Sequence, residues 1–170
     1  MMAEPWLREI DLGIDAALQQ PLFALEQVRE DLMQHTSGIP DEQVWARVHG
    51  LTPLGFHLRH IAGSTRRLTA YLRGEQLTEQ MLLELREEQT AGPTLGELLW
   101  GIEAAILEAS QAIRALDGTD MGAPRFIGRR KIRTTAIGLA IHIGEHAQRH
   151  TGQAIVLCRL LQAVSRSSGS

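Results

Sequence analysis

The sequence predicts an all-α protein built as a four-helix bundle. Apolar residues recur at three- and four-residue spacing in four long stretches of the 170-residue chain, as they do on the buried face of a helix. Threonines that can cap a helix precede three of these stretches, at Thr52, Thr94 and Thr134. Aromatic residues, which favour strands, make up only 4% of the chain. We therefore expect helices packed around one core rather than a sheet.

The first long helix is predicted over residues 12–33. Its apolar positions are Leu12, Ile14, Leu18, Leu22, Leu25, Val28 and Leu32. Pro21 predicts a kink or a later start, because proline lacks the N–H group that an interior helical position donates. Residues 35–51 contain glycine, proline and few periodic apolar residues, so they predict a long connection with one short helical turn at 41–47.

The second long helix is predicted from Pro53 to about Arg73. Thr52 is the expected N-cap, proline suits the first helical position, and Gly74 ends the helix. A short helix is expected over residues 78–88, where the apolar side chains fall on one side.

The third long helix begins with a capping box formed by Thr94 and Glu97 and is predicted to end near residues 117–118. Residues 117–133 contain three glycines and a basic run at 125–133, which predict a long loop or a small strand-like excursion. This run can clamp an anionic substrate, but a solvated charged loop is the favoured interpretation, since Phe126 is its only aromatic residue.

The fourth long helix is predicted to start at a cap formed by Thr134 or Thr135 and to continue to about Val164. The serine-rich residues 165–170 predict a flexible tail. Residues 1–164 are therefore expected to form a single domain, in keeping with the length of the chain.

Composition excludes several classes of protein. The net charge is only −3, and acids and bases are interspersed, so we expect no binding to nucleic acid or to a membrane. No secretory signal is visible at the start of the sequence. The single cysteine, Cys158, lies in an apolar run and is interpreted as an inert buried thiol. These features favour the cytoplasm.

Histidines provide the candidate functional site. His146 and His150 lie four residues apart in the fourth long helix, so their imidazoles project from one helical face. His60 lies on the second long helix and completes a set of three if those two helices pack side by side. Three imidazoles on facing helices form a metal site with open positions for water or substrate.

Spacing alone leaves two alternatives open at this site. His142 precedes His146 by one helical turn and can replace His150 in the pair. His57 precedes His60 by one turn and raises the same question. Helical periodicity cannot separate these sets.

The segment from His142 to His146 also matches the H-x-x-E-H pattern of inverted zinc proteases, with Glu145 as the glutamate. Those proteases take a further glutamate ligand from well downstream, whereas no acidic residue follows Glu145 in this sequence. We therefore interpret Glu145 as a partner of Arg149 one turn on, or as a residue that orients a neighbouring ligand.

Two segments around the histidines carry a family resemblance. They are His60-Ile-Ala-Gly-Ser64 and His146-Ala-Gln-Arg-His150-Thr-Gly-Gln153. They resemble the His-Leu-Ala segment and the terminal His-x-x-x-His-x-Gly-Gln segment of the DinB/YfiT-like superfamily, in particular of its DinB_2-like branch. The order of four helices with a long third connection is also similar over nearly the whole chain.

This resemblance implies an up-down-down-up bundle that holds one divalent metal ion through His60, His146 and His150. The ion implied is zinc or nickel, with manganese or iron as alternatives, and His57 and His142 are then flanking residues. Characterised members of the family include thiol-dependent transferases and isomerases. The resemblance therefore implies a small-molecule substrate, with a low-molecular-weight thiol as one candidate, and a homodimer.

Two functions from different classes follow from these residues. The first is a metal-dependent enzyme, a thiol-dependent transferase or a hydrolase, because three neutral imidazoles leave the ion its full positive charge. The second is a non-enzymatic, dimeric stress-response or interaction bundle with a structural or vestigial metal site. The sequence identifies no catalytic general base for the first.

Overall fold

The computed structural model describes residues 3–168, and the chain is mostly helical within them, as the sequence predicts. A 3-10 turn at Pro5–Leu7 comes first. The elements that follow are α1 (Ala16–Thr36), α2 (Asp41–Val44), α3 (Leu54–Leu72), α4 (Glu79–Arg86), α5 (Leu95–Arg114), β1 (Pro124–Ile127), β2 (Ile132–Thr135) and α6 (Ala136–Ser168).

Four long helices, α1, α3, α5 and α6, enclose the hydrophobic core. Helix α6 packs against α1 and α3, and helix α5 packs against α3 and α1. The largest side chains that this packing buries include Leu18, Leu25, Leu58, Ile61, Ile113, Leu139 and Ile143. The side-by-side packing of α3 and α6 is the arrangement that His60 needs to approach the histidine pair on α6.

Two of the predicted helix caps are present. The Thr94 hydroxyl accepts a hydrogen bond from the Glu97 N–H at 3.3 Å, and the Glu97 carboxylate accepts one from the Thr94 N–H at 2.8 Å, which completes the capping box of α5. At α6 the cap is Thr135 rather than Thr134, because the Gly138 N–H donates to the Thr135 hydroxyl at 3.1 Å.

The start of α3 differs from the prediction by one residue. Pro53 occupies the N-cap position, with no side-chain cap, so the assignment of Thr52 as N-cap is wrong. Proline suits this place because its fixed φ fits the extended backbone that precedes the helix, where φ is −60° and ψ is 153°. The predicted end is confirmed, since Gly74 follows α3 with a positive φ of 83°.

Helix α1 starts later than residue 12 and continues through Pro21. Asp15 caps it by accepting a hydrogen bond from the Ala17 N–H at 2.8 Å. Helix α6 approaches α1 closely here. A Cβ atom added to Gly144 would lie 2.9 Å from the Cβ of Ala24 and 3.3 Å from the carbonyl oxygen of Pro21. A glycine at 144 therefore allows the two helices to touch.

The basic segment forms an antiparallel hairpin, the strand-like excursion that the sequence allows. Ile127 pairs with Ile132, and the Arg125 side chain donates to the carbonyl of Leu72 at the end of α3. Arg129 and the cations that follow it in the segment are exposed. Their exposure agrees with a solvated charged loop.

Helix α6 continues to Ser168, past the end near Val164 that the sequence predicts. Residues 169–170 of the predicted tail lie outside the described residues. Cys158 on this helix is 1% exposed, and burial raises the pKa of its thiol to about 11, so the interpretation as a buried, unreactive thiol holds. Within residues 3–168 none of the helices is both long and apolar enough to cross a membrane.

Candidate metal centre

Helices α3 and α6 bring His60, His146 and His150 together. One ring nitrogen of each lies within 4.8 Å of the other two, and Nε2 of His60 is 3.0 Å from Nε2 of His146. In a tetrahedral zinc site with metal–nitrogen distances of about 2.0–2.1 Å, two ligand nitrogens stand about 3.3 Å apart. The spacing of the three imidazoles therefore fits a divalent ion with small side-chain adjustments.

The helical framework fixes the directions of these rings. His146 and His150 occupy successive turns of α6, and their ring centroids are 4.9 Å apart. The His60 ring lies 4.3 Å from that of His150 across the gap between the helices. Phe56, one turn before His60 on α3, stacks on the His60 ring at a centroid distance of 5.5 Å and so covers one of its faces.

The two alternative histidines lie beside this group. His57 is buried, and its Nδ1 atom is 3.2 Å from Nδ1 of His150. The side chain of His142 is 42% exposed, and its Nδ1 atom is 3.4 Å from the Glu145 carboxylate. In the described part of the chain, the group with metal-ligand spacing contains His60, His146 and His150 and leaves out His57 and His142.

Glu145 belongs to the protein surface. Its carboxylate accepts a hydrogen bond from the Arg149 guanidinium at 2.7 Å, the pairing that the sequence predicts. The Glu145 carboxylate also lies near His142, which is outside the three-histidine group. This placement gives no support to a zinc-protease arrangement with Glu145 as the general base.

Sequence reasoning missed Glu88, which supports the site from behind. Its Oε2 atom lies 2.7 Å from Nδ1 of His60, within hydrogen-bond distance, and its Oε1 atom accepts a hydrogen bond from Nη2 of Arg67 at 2.7 Å. Glu88 is only 3% exposed. Burial alone would raise its pKa, but the hydrogen bonds from His60 and Arg67 outweigh burial and hold the pKa below its usual value. Glu88 is therefore a buried carboxylate.

The surroundings lower the pKa values of His57, His146 and His150. The pKa of His150 is lowered to about 4. Burial is the largest cause, and the proximity of His60 and of other charged or titratable neighbours adds to it. Burial and the same neighbour, His60, also lower the pKa values of His57 and His146. A neutral imidazole has the free lone pair that a metal ligand needs, so His146 and His150 are ready to bind an ion at neutral pH.

The chain was compared with models of known protein families. The family model described as the DinB superfamily matches residues 24–154 of the chain. This span contains His60 on α3 and both His146 and His150 on α6. A comparison with curated proteins gave no match.

Proposed function

Because the chain belongs to the DinB superfamily, we propose that it is a metal-dependent enzyme whose divalent ion is bound by His60, His146 and His150. The observation that carries this proposal is the convergence of three imidazoles from two helices, two of them with lowered pKa values. Zinc or nickel suits an all-nitrogen donor set, and manganese and iron are alternatives.

The chemistry proposed is activation of a nucleophile, most directly the thiol of a small molecule that is transferred to an electrophilic substrate. A divalent ion bound by neutral ligands supplies positive charge that makes a nearby thiol or water more acidic. The protein residues contribute orientation. His146 and His150 are held by one helix, and Glu88 holds His60 from behind. Hydrolysis of a small substrate is the other reaction that this arrangement suits.

We infer that the four long helices form an up-down-down-up bundle. Two observations support this topology. Each of α1, α3, α5 and α6 packs against two of the others around one core, and α3 and α6, which carry the histidine segments, pack against each other. We also propose a cytoplasmic location, which the buried free thiol of Cys158 supports.

A second candidate is a non-enzymatic interaction protein that forms a homodimer. Exposed apolar side chains favour it. Trp100 and Leu107 are 74% and 58% exposed on α5, and Met33 is 69% exposed on α1. Exposed apolar side chains that form a contiguous patch are more frequent at protein interfaces than on free surfaces. In this candidate the histidine centre is structural or vestigial.

Metal analysis followed by a thiol-transfer screen separates the two candidates. Protein purified without an affinity tag should contain about one divalent ion per chain, and zinc or nickel should raise the melting temperature of the metal-free protein. The loaded protein should then transfer at least one low-molecular-weight thiol in a screen of electrophiles, and a chelator should abolish the turnover. Substoichiometric metal with no thermal shift, or equal turnover with and without metal, would favour the interaction protein.

A further inference from the structure

Glu88 makes two hydrogen bonds that together restrict the chemistry of the His60 ring. Arg67, which is 8% exposed, donates to one carboxylate oxygen, and His60 is in contact with the other. A guanidinium has only donors, and a carboxylate paired with it has only acceptors. Nδ1 of His60 must therefore carry the proton in this contact.

The proton on Nδ1 determines what remains at the other ring nitrogen. In a neutral imidazole with Nδ1 protonated, Nε2 carries a free lone pair. Nε2 of His60 is the atom that lies 3.0 Å from Nε2 of His146, on the side of the ring that faces α6. The contact with Glu88 thus directs the lone pair of His60 into the three-histidine group.

Gly63 makes room for this arrangement. Glycine inside a helix costs about 1 kcal/mol relative to alanine, and Gly63 lies within α3 without a positive φ that would require glycine. A Cβ atom added there would lie 2.8 Å from both Nη1 of Arg67 and Oε1 of Glu88. The absence of a side chain at 63 therefore allows the paired guanidinium and carboxylate to lie against the helix.

We propose that Arg67 and Glu88 form a positioning pair that fixes His60 in the Nδ1–H tautomer, with its Nε2 lone pair directed at His146 and His150. The value of this pair for metal binding rests on the proposed function, whereas the tautomer is a property of the metal-free protein. Carboxylates behind metal-ligating histidines typically change metal affinity by about 10- to 100-fold.

The variant Glu88→Gln tests the proposal because it replaces one carboxylate oxygen of residue 88 with an NH2 group. Arg67 can only donate, so it should hold the amide oxygen of Gln and leave the NH2 group facing Nδ1 of His60. That group can only donate, so Nδ1 must accept and the ring proton must move to Nε2. The lone pair that faces α6 is then lost.

Ring-nitrogen NMR of the metal-free protein at mildly alkaline pH reads the tautomer directly. We expect the wild-type His60 ring to be protonated at Nδ1 and the ring in Glu88→Gln to be protonated at Nε2. The affinity for added zinc should fall by about 10- to 100-fold in the variant. The matched control is Glu145→Gln, which alters the surface contact between Glu145 and His142. This variant should change neither the tautomer of His60 nor the affinity for zinc.

A double variant guards against a folding defect in Glu88→Gln, which leaves the buried Arg67 without its counter-charge. In Arg67→Met with Glu88→Gln, no donor holds the amide oxygen, so the amide can turn its oxygen to His60 and restore the Nδ1–H tautomer. This rescue would not follow from a merely structural role. A wild-type ring protonated at Nε2, or a Glu88→Gln protein with unchanged tautomer and affinity, would overturn the proposal. Titration of the wild-type protein with zinc tests separately whether the metal binding on which the proposed function depends occurs.

Discussion

The rings of His57 and His150 meet through their Nδ1 atoms, which are 3.2 Å apart across the boundary between α3 and α6. One ring must donate and the other accept, so the contact couples the tautomers of the two residues. With Nδ1 of His150 engaged by His57, Nε2 is the nitrogen that remains for an ion. His57 thus supports the site as a neighbour.

The variant His57→Ala should therefore keep most of the metal binding. We expect the dissociation constant for zinc to rise by about tenfold, the low end of the range for lost supporting contacts, because all three proposed ligands remain. His60→Ala should have a far larger effect because it removes a ligand. Isothermal titration of both variants checks this, and the reverse order of effects would shift the ligand assignment on α3 by one turn.

Replacing both His146 and His150 by Ala should abolish metal binding and leave the protein folded. Both side chains are only partly buried and lie outside the hydrophobic core. Zinc content should fall to background, while far-ultraviolet circular dichroism should retain the helical signal. Collapse of the helical signal would show that these residues are needed for the fold itself.

The free energy of unfolding of the metal-free protein should fall as the pH drops from about 6.5 to about 4. The pKa of His150 is 6.5 when unperturbed and about 4 in the folded protein, so in this interval the unfolded chain binds a proton that the folded chain excludes. The lowered pKa values of His57 and His146 act in the same direction. Urea denaturation at several pH values measures the slope, which His150→Gln should reduce.

His142 offers a control for this slope. His142→Gln removes a histidine from the same helix whose side chain is 42% exposed and lies outside the three-histidine group. We expect this variant to keep the part of the slope that comes from His150, because His142 is not among the neighbours that lower the pKa of His150. An equal loss of slope in both variants would mean that burial of His150 is not its source.

Two glycines of α6 should respond to alanine in opposite directions. At Gly152 a new Cβ meets nothing within 4 Å, so alanine should stabilise the protein by about 0.5–1 kcal/mol through helix propensity. At Gly144 the same atom would lie 2.9 Å from the Cβ of Ala24, which cannot move aside without its helix. We expect Gly144→Ala to destabilise the protein by about 1–3 kcal/mol. Chemical denaturation of the pair measures both effects.

Features set by neighbouring residues could be predicted from the sequence. The capping box at Thr94 and the one-turn spacing of His146 and His150 each depend on residues within one turn of helix. Helix ends were less certain, as the shift of the α3 cap from Thr52 to Pro53 shows. Glu88 gives no local signal, because it is one of several acidic residues at the end of the predicted short helix over residues 78–88.

Glu88 could not be predicted for a physical reason. It lies 28 residues from His60, beyond α4, and its role depends on how that connection folds back onto α3. A buried arginine on the same helix face as a histidine seven residues earlier would have been a hint, since Arg67 needs a carboxylate partner when it is buried. The spacing of residues along α3 does not identify the carboxylate that pairs with Arg67.

The separation of the histidines along the chain predicts that the two halves of the histidine centre form at different stages of folding. His146 and His150 come together as soon as their turn of α6 is helical, a local event on the sub-microsecond scale. His60 is 86 residues from His146 along the chain and arrives only when α3 has docked onto α6. If the proposed metal centre forms, we expect His146 and His150 to offer an ion two nitrogens before α3 has docked, and His60 to add the third nitrogen afterwards.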